Sequence, residues 1–355
     1  MPDVITDINQ VTPAWLTGVL QAAGALPQGR VVTIEHQAFP TLISAIVRLE
    51  VGYSVDAPPS APGHLFLKMA RPEALSDALA DLGKQEVTFY TTIAPAMSDP
   101  PTVACYDALY TPGTRQFHLL LSDLSETHGQ TEWPLPASYE SCIQSVEYLA
   151  RFHAYWWDHP RLGTEIGSRP TAFALQGQGD LRERCTEFVR FLGDRLLPER
   201  HALYDQVLDV WPILVSRLAV GHDVTIVHGD AHTWNFLYPR DPTTATVYLI
   251  DWQLWRLGVG VSDLAYMMAL HWYPERRAAL EQPLLRHYHR CLQGHGIETY
   301  DWEACWRDYQ WAAVCNLFIP VFQWSANIPA GGWWSHLERA MLAFEDLGCA
   351  ELLKP

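Results

Sequence analysis

The sequence lacks an apolar run long enough to cross a membrane. Its longest apolar stretch, residues 312–324, is interrupted by Asn316, Pro320 and Gln323, whereas a spanning helix needs about 20 predominantly apolar residues. The first seven residues contain neither the basic nor the apolar part of a secretory signal. We therefore expect a cytoplasmic protein without a membrane segment.

Positive charge is scarce. There are 24 Lys and Arg residues against 40 Asp and Glu residues, which gives a net charge of −16. A basic run is also missing, although binding to nucleic-acid phosphates depends on such clusters. The composition therefore excludes a nucleic-acid partner and favours neutral or cationic small molecules.

Paired cysteines are missing as well. The seven cysteines are odd in number and none stands in a C-x-x-C pair, which suits a reducing compartment where thiols pack as small apolar side chains. No internal repeat or low-complexity tract is present. With 48% hydrophobic and 18% charged residues, the composition is that of a globular protein.

The hydrophobic pattern changes near Leu124. Before it we predict a helix over residues 12–24, capped by Thr12, a helix over 73–95, and strands at 31–34, 43–51, 64–69, 102–110 and 116–121. After it we predict helices over 138–157, 172–196, 198–220 and most of 262–355, with strands 224–227 and 246–250 as one hairpin-like insert. The order indicates an α+β protein with two domains, residues 1–124 and residues 125–355.

Two carboxylates and a carboxamide follow the strands of the second part. Asp230 and Asn235 stand in the loop after residues 224–227, and Asp251 follows the next strand. Hard cations such as Mg²⁺ prefer oxygen ligands and often share them with substrate phosphates. These residues therefore predict an oxygen-rich metal site.

The same residues resemble the aminoglycoside phosphotransferase and choline kinase-like family, which has a protein-kinase-like fold. The matching motifs, spread over most of the chain, are the H-x-D-x-x-x-x-N catalytic loop at His228, Asp230 and Asn235, the metal-binding aspartate at Asp251, and Asp263-Leu264-Ala265-Tyr266. Gln253 and the opening at residues 11–16 are similar to the ecdysteroid kinase-like branch.

The resemblance implies a two-lobed enzyme with a small antiparallel-sheet N-terminal lobe and a mainly helical C-terminal lobe. It would use ATP or GTP with Mg²⁺ to phosphorylate a hydroxyl of a small molecule. Asp230 would accept or orient the hydroxyl proton, while Asn235 and Asp251 would hold Mg²⁺ against the nucleotide phosphates. Phosphoryl transfer needs mainly positioning and charge neutralisation, which such residues supply.

Further residues are candidates for nucleotide binding. Lys68 lies at the end of a dense apolar strand, where a charge is unusual, and the resemblance makes it the lysine that contacts phosphates. Glu86 in the following helix is its expected partner, although Glu73 lies in the same region. The Ser122 carbonyl and Leu124 amide are the expected contacts to adenine.

Glycine is absent between Gly29 and Gly52, where kinases usually have a glycine-rich turn over the phosphates. The segment Phe39-Pro40-Thr41-Leu42-Ile43-Ser44 takes that place, and Ser44 is the predicted hydrogen-bond donor. This bulkier loop leaves the choice of ATP or GTP open. It also favours an alternative, a kinase-like protein that binds a ligand without catalysis.

A metal-dependent hydrolase is a further alternative, because His228, Asp230 and His232 alternate like metal ligands. The acceptor is expected to contact the C-terminal part of the chain. Its candidate wall, which could equally be core, consists of His271, Trp272, Tyr273, Trp306, Trp311, Trp324, Trp333 and Trp334. Such rings suit a flat, apolar or cationic acceptor. Since polyhydroxylated aminoglycosides usually call for many acidic groups, we favour an antibiotic-like or apolar alcohol, bound by a monomer or homodimer.

Overall fold

A computed structural model describes residues 3–40, 44–71, 81–168, 178–219, 221–241 and 246–354. The chain forms two compact units. The first contains Met1–Gln130 and Leu237–Leu254, and the second contains Thr131–Phe236 and Trp255–Pro355. The domain boundary at Leu124 stays a prediction.

Within the described ranges, no helix has both the length and the apolar character required to span a bilayer.

The first unit is built on a five-stranded antiparallel sheet. Its strands are β1 (Val31–Pro40), β2 (Ser44–Tyr53), β3 (His64–Ala70), β4 (Cys105–Thr111) and β5 (Gln116–Ser122). Their order is β1-β2-β3-β5-β4, which makes β3 the central strand. In the register, Lys68 of β3 stands beside Ile46 of β2 and Leu119 of β5.

The two faces of this sheet hold different helices. Leu65, Leu67 and Met69 of β3 belong to a core that includes Leu16 and Leu20 of helix α1 (Pro13–Ala22). Because side chains alternate along a strand, Lys68 points to the opposite face. The predicted cap of α1 is confirmed, since Thr12 Oγ1 accepts a hydrogen bond from the Trp15 amide at 3.1 Å.

Helix α2 (Leu82–Thr88) covers the face that carries Lys68, and a π-helical turn, Phe89–Ile93, continues it. Gly83 allows a very close approach, because a Cβ there would lie 2.0 Å from Phe117 Cδ1 of β5. One turn further along α2, Glu86 is brought towards Lys68. Residues 72–80 of the predicted helix, including Glu73, lie outside the described residues.

The second unit is mainly helical, as predicted. Its helices are α3 (Tyr139–Trp156), α4 (Gln178–Leu192), α5 (Pro198–Ala219), α6 (Val261–Ala265), α7 (Pro274–Gly294), α8 (Trp302–Cys315), α9 (Ile319–Ser325) and α10 (Ala330–Asp346). Two of them begin at polar caps: Ser138 accepts from the Ser141 amide, and Asp301 from the Ala304 amide. The predicted start of α4 at residue 172 lies outside the described residues.

The predicted hairpin-like insert is wrong. Strand β7 (Thr225–Val227) pairs with β10 (Arg256–Gly258), not with the strand around residue 248. That strand, β9 (Tyr248–Leu249), belongs to a small sheet with β6 (His128–Gly129) and β8 (Phe236–Pro239), in the order β6-β8-β9. A run of apolar, β-branched residues predicts a strand, but it does not predict which other strand will pair with it.

We predict that Gly83→Ala destabilises the protein by about 2 kcal/mol, because the added methyl group must displace Phe117 or helix α2. The matched control is Gly18→Ala in α1, where a Cβ meets nothing within 4 Å. This control should stabilise by about 0.5–1 kcal/mol through helix propensity. Urea unfolding measures both, and equal effects would contradict the close approach of α2.

Candidate active site

Lys68 is the centre of the charged cluster in the first unit. It lies on the central strand β3, and its side chain is 11% exposed. A buried ammonium group is unfavourable unless it is paired. Two carboxylates provide that pairing: the distance from Lys68 Nζ is 2.6 Å both to Glu86 Oε2 and to Asp251 Oδ1. The structure thus brings together three residues that are far apart in the sequence.

The protonation of this cluster follows from its geometry. Burial alone would lower the pKa of Lys68, but Asp251 and Glu86 outweigh that effect and raise it above its ordinary value. Burial raises the pKa of Glu86, Lys68 lowers it, and the nearby Asp251 charge adds to the increase. Two carboxylates therefore share one ammonium group that stays protonated.

Asp251 is fixed by an unusual backbone and a buried neighbour. Its φ of 67° lies in the left-handed region, which aspartate tolerates better than most residues. The next residue, Trp252, stacks on Phe89 with ring centroids 3.8 Å apart and donates from Nε1 to the Leu249 carbonyl at 2.9 Å. Gln253 Nε2 lies 3.4 Å from Asp251 Oδ2. Trp252 therefore ties Asp251 to the segment that follows Glu86.

The remaining nucleotide candidates lie at the start of β2 and at or just after the end of β5 in the same unit. Ser44 is buried at the start of β2 and pairs in register with Ala70 of β3, while residues 41–43 of the predicted loop lie outside the described residues. The Ser122 amide donates to the Ala104 carbonyl at 2.8 Å, and the Leu124 carbonyl accepts from the His128 amide at 2.8 Å. Their nucleotide contacts stay predictions.

Asp230 lies in the loop after β7 in the second unit. Gly229 has a φ of 83°, a conformation that suits glycine because it has no Cβ. The amide of Asp230 donates to His228 Nδ1 at 3.2 Å. Asn235 Nδ2 donates to the Asp230 carbonyl at 3.0 Å and lies 3.4 Å from Asp230 Oδ2. The structure thus brings Asp230 and Asn235 together, as their spacing predicts.

Asp263 anchors this loop. Its buried carboxylate accepts hydrogen bonds from the amides of His228 at 2.7 Å and Gly229 at 2.9 Å. His153 Nε2 lies 3.2 Å from the same carboxylate, and His153 Nδ1 lies 2.9 Å from the Tyr288 hydroxyl. Burial alone would raise the pKa of Asp263, but His153 and these contacts hold it below its ordinary value. Asp263 is therefore a charged support for the loop that carries Asp230.

Tyr266 is a residue at this site to which sequence reasoning assigned no role, although it ends the Asp-Leu-Ala-Tyr motif. It is buried, and burial together with the hydrogen-bonded Asp230 carboxylate raises its pKa well above the usual value. The phenol therefore stays protonated at neutral pH and can donate to Asp230. In the sequence, only its position at the end of this motif indicates that Tyr266 belongs to the site.

The two histidines of the loop have separate surroundings. His228 is fully buried, whereas His232 Nε2 lies 3.7 Å from Asp230 Oδ2. In the ranges that the structure describes, no group of three or more His, Cys, Asp or Glu residues could hold a metal ion.

The predicted aromatic acceptor wall is spread over several places. Trp311 and Trp333 are buried and donate from Nε1 to the carbonyls of Leu214 and Ile328. His271, in contrast, lies near the Asp230 loop, with its ring centroid 5.5 Å from that of His232. His271 therefore contacts the loop that carries Asp230 through the rings of His232 and Trp234.

We predict that Asp263→Asn lowers the free energy of unfolding by about 3 kcal/mol, because it removes a buried charge and leaves a loop amide without its acceptor. The matched control is Asp209→Asn, since Asp209 pairs with Arg182 at 2.8 Å but is 72% exposed. An exposed pair contributes less than about 1 kcal/mol. Denaturant unfolding that gave both variants the same loss would contradict the anchoring role.

Comparison with solved structures gives similarity over nearly the whole chain. A choline kinase from Cryptosporidium parvum Iowa II is 11% identical, with a TM-score of 0.55 and 96% of each chain covered. An amicoumacin kinase in complex with AMP-PNP, Ca²⁺ and Ami is 13% identical, with a TM-score of 0.52 and coverage of 93% of this chain and 92% of that chain. The gentamicin complex of APH(2")-IIa is 9% identical, with a TM-score of 0.51 and coverage of 96% and 97%. The predicted kinase-like α+β fold is confirmed.

Comparison with curated protein sequences gives no match, and the narrower likeness to the ecdysteroid kinase-like branch stays a prediction. A family model, in contrast, matches residues 56–305. This range includes Lys68, Asp230 and Asp251, and it covers more than half of the chain. The protein therefore belongs to the phosphotransferase enzyme family, APH.

Proposed function

We propose that this enzyme transfers the γ-phosphate of ATP or GTP to a hydroxyl group of a small, antibiotic-like or apolar alcohol. Membership of the phosphotransferase family supports the reaction class. The observation that carries the proposal is the Lys68 ammonium, held at 2.6 Å by both Glu86 and Asp251. A strand lysine paired with a helix glutamate is the arrangement by which kinases direct positive charge at nucleotide phosphates.

In this proposal Asp230 acts on the acceptor. Its carboxylate accepts or orients the proton of the attacking hydroxyl, and Asn235 and Tyr266 hold it in place. General-base assistance of this kind contributes about 10²- to 10⁴-fold in rate. Asp263 keeps the loop amides fixed, so that Asp230 does not have to reorganise during the reaction.

Asn235 and Asp251 are the residues that would hold Mg²⁺. The donor chemistry fits, because Asn235 turns its Nδ2 to the Asp230 carbonyl and so has its amide oxygen for a ligand. Asp251 Oδ1 contacts Lys68 Nζ, and Asp251 Oδ2 lies 3.4 Å from Gln253 Nε2, so the residue presents carboxylate oxygens to its surroundings. Oxygen ligands of this type are those that Mg²⁺ prefers. The ion, when bound, would neutralise negative charge on the phosphates.

The nucleotide and the cellular location belong to the same proposal. Nucleotides occupy related kinases of the same fold, as in the AMP-PNP complex of amicoumacin kinase. All seven cysteines are free thiols, which supports a cytoplasmic location, because thiols persist in reducing compartments.

Asp230→Asn tests the proposal. A screen of alcohols and antibiotics for acceptor-dependent ADP or GDP release first identifies an acceptor for the wild type. The variant should lose about 10²- to 10⁴-fold in kcat, while Mg-ATP still raises the melting temperature, because nucleotide binding is retained. Asp209→Asn is the control and should keep full turnover. Wild-type turnover by Asp230→Asn would remove Asp230 from the mechanism.

A further inference from the structure

Several aromatic rings lie in contact with one another between Asp230 and the protein surface. His232 Nε2 lies 3.7 Å from Asp230 Oδ2, and the His232 ring centroid is 5.2 Å from that of Trp234. The Trp234 ring is in turn 6.5 Å from Trp133, which is 70% exposed. We call Trp133, Trp234, His232, His271 and His336 the aromatic row.

The inner part of the aromatic row is formed by His271 and His336. The His271 centroid is 5.5 Å from Trp234 and 4.7 Å from His336 of α10. His271 Nδ1 lies 2.8 Å from the Tyr266 carbonyl, and His336 Nδ1 lies 3.0 Å from Gln323 Oε1. These hydrogen bonds hold both rings in place beside the catalytic loop.

The outer part is also fixed. Trp234 Nε1 donates to the Leu135 carbonyl at 3.0 Å, which ties the segment containing Trp133 to the catalytic loop. The Trp133 indole is exposed, so its ring can contact a ligand that approaches from solvent. Trp133 therefore presents a ring at the surface that is connected to Asp230 through Trp234 and His232.

The two inner rings of the aromatic row, His271 and His336, are uncharged at neutral pH. Burial, a neighbouring imidazole and Arg339 lower the pKa of His271 well below its usual value and that of His336 to about 4. Within the described part of the chain, the buried His232 Nδ1 has no hydrogen-bond partner. The row thus offers ring surfaces together with a polar atom that could bind a ligand.

The aromatic row lies beside a positively charged side chain, which disfavours cationic ligands. The Arg339 guanidinium lies 4.5 Å from the centroid of the Tyr273 ring, and its NH1 donates to the His271 carbonyl at 2.8 Å. This positive charge beside His271 and His336 disfavours a second cation. Elsewhere in the same unit, Arg276 covers Trp272 in the same way, so that protein cations already occupy some ring faces.

We propose that the aromatic row is the acceptor subsite and that it binds an uncharged alcohol with a flat aromatic ring system. The ring system lies against Trp234 and Trp133, and the hydroxyl group is directed at Asp230. The inference rests on the proposed function and deepens it, because it names the class of acceptor. Polycationic aminoglycosides and quaternary ammonium alcohols are thereby disfavoured.

Binding can be measured without turnover. Isothermal titration calorimetry of the Asp230→Asn variant with Mg-AMP-PNP compares three probes: 2-naphthylethanol, choline and kanamycin. We expect 2-naphthylethanol to bind more tightly than the two cationic probes. Trp133→Ala, added to this variant, should weaken its binding by about 10-fold, which corresponds to about 1.4 kcal/mol.

Two variants separate a specific ring contact from a general surface effect. Trp133→Phe retains a ring and should restore most of the affinity. Tyr139→Ala removes a ring that is 48% exposed near the start of α3 and should leave the affinity unchanged.

The inference is overturned if 2-naphthylethanol does not bind, if choline or kanamycin binds more tightly, or if Trp133→Ala binds it as well as the parent variant. Failure of the proposed function has another signature. In that case wild-type protein with Mg-ATP releases no ADP for any probe, whereas the dependence of binding on Trp133 remains.

Discussion

The arrangement of the first unit depends on one buried ammonium group. Lys68 stands on the central strand of the sheet, and its 2.6 Å contacts with Glu86 and Asp251 hold helix α2 and the turn after β9 in register with that strand. A buried charge of this kind is tolerated only when it is paired. Gly83, which lets α2 approach Phe117, and Trp252, which stacks on Phe89, are the packing features that bring the two carboxylates there. The ion pairs of Lys68 therefore depend on this packing, and the packing would bury an unpaired charge without the ion pairs.

In the second unit, a buried carboxylate stabilises a loop rather than a lysine. The loop that carries Asp230 has few apolar side chains to stabilise its shape, and the buried Asp263 carboxylate stabilises it instead by accepting two loop amides. His153 and Tyr288 extend this support into helices α3 and α7. Asp230 can therefore stay accessible while the backbone that carries it is fixed. Support of a reactive group by a buried hydrogen-bonded network is a general requirement for precise positioning.

Sequence reasoning was most successful where a motif fixes both residue type and spacing. The contact of Asp230 with Asn235 follows from such a motif, the pairing of Lys68 with Glu86 was expected from the family resemblance, and the Thr12 cap follows from local chemistry. The partner of β7 could not be predicted, because strand pairing depends on distant residues. The contact between Trp133 and Trp234 was missed for the same reason: about 100 residues separate them, and periodicity reports only on near neighbours.

The most direct test of the account is the kinetics of Lys68→Met, which keeps the length of the side chain but removes its charge. With an acceptor at saturation, kcat/KM for ATP should fall at least about 100-fold, equivalent to about 2.7 kcal/mol of transition-state stabilisation. Lys84→Met on the exposed side of α2 is the matched control and should behave as wild type. Thermal unfolding establishes that both variants are folded. Unchanged nucleotide kinetics in folded Lys68→Met would contradict the role assigned to the paired ammonium group.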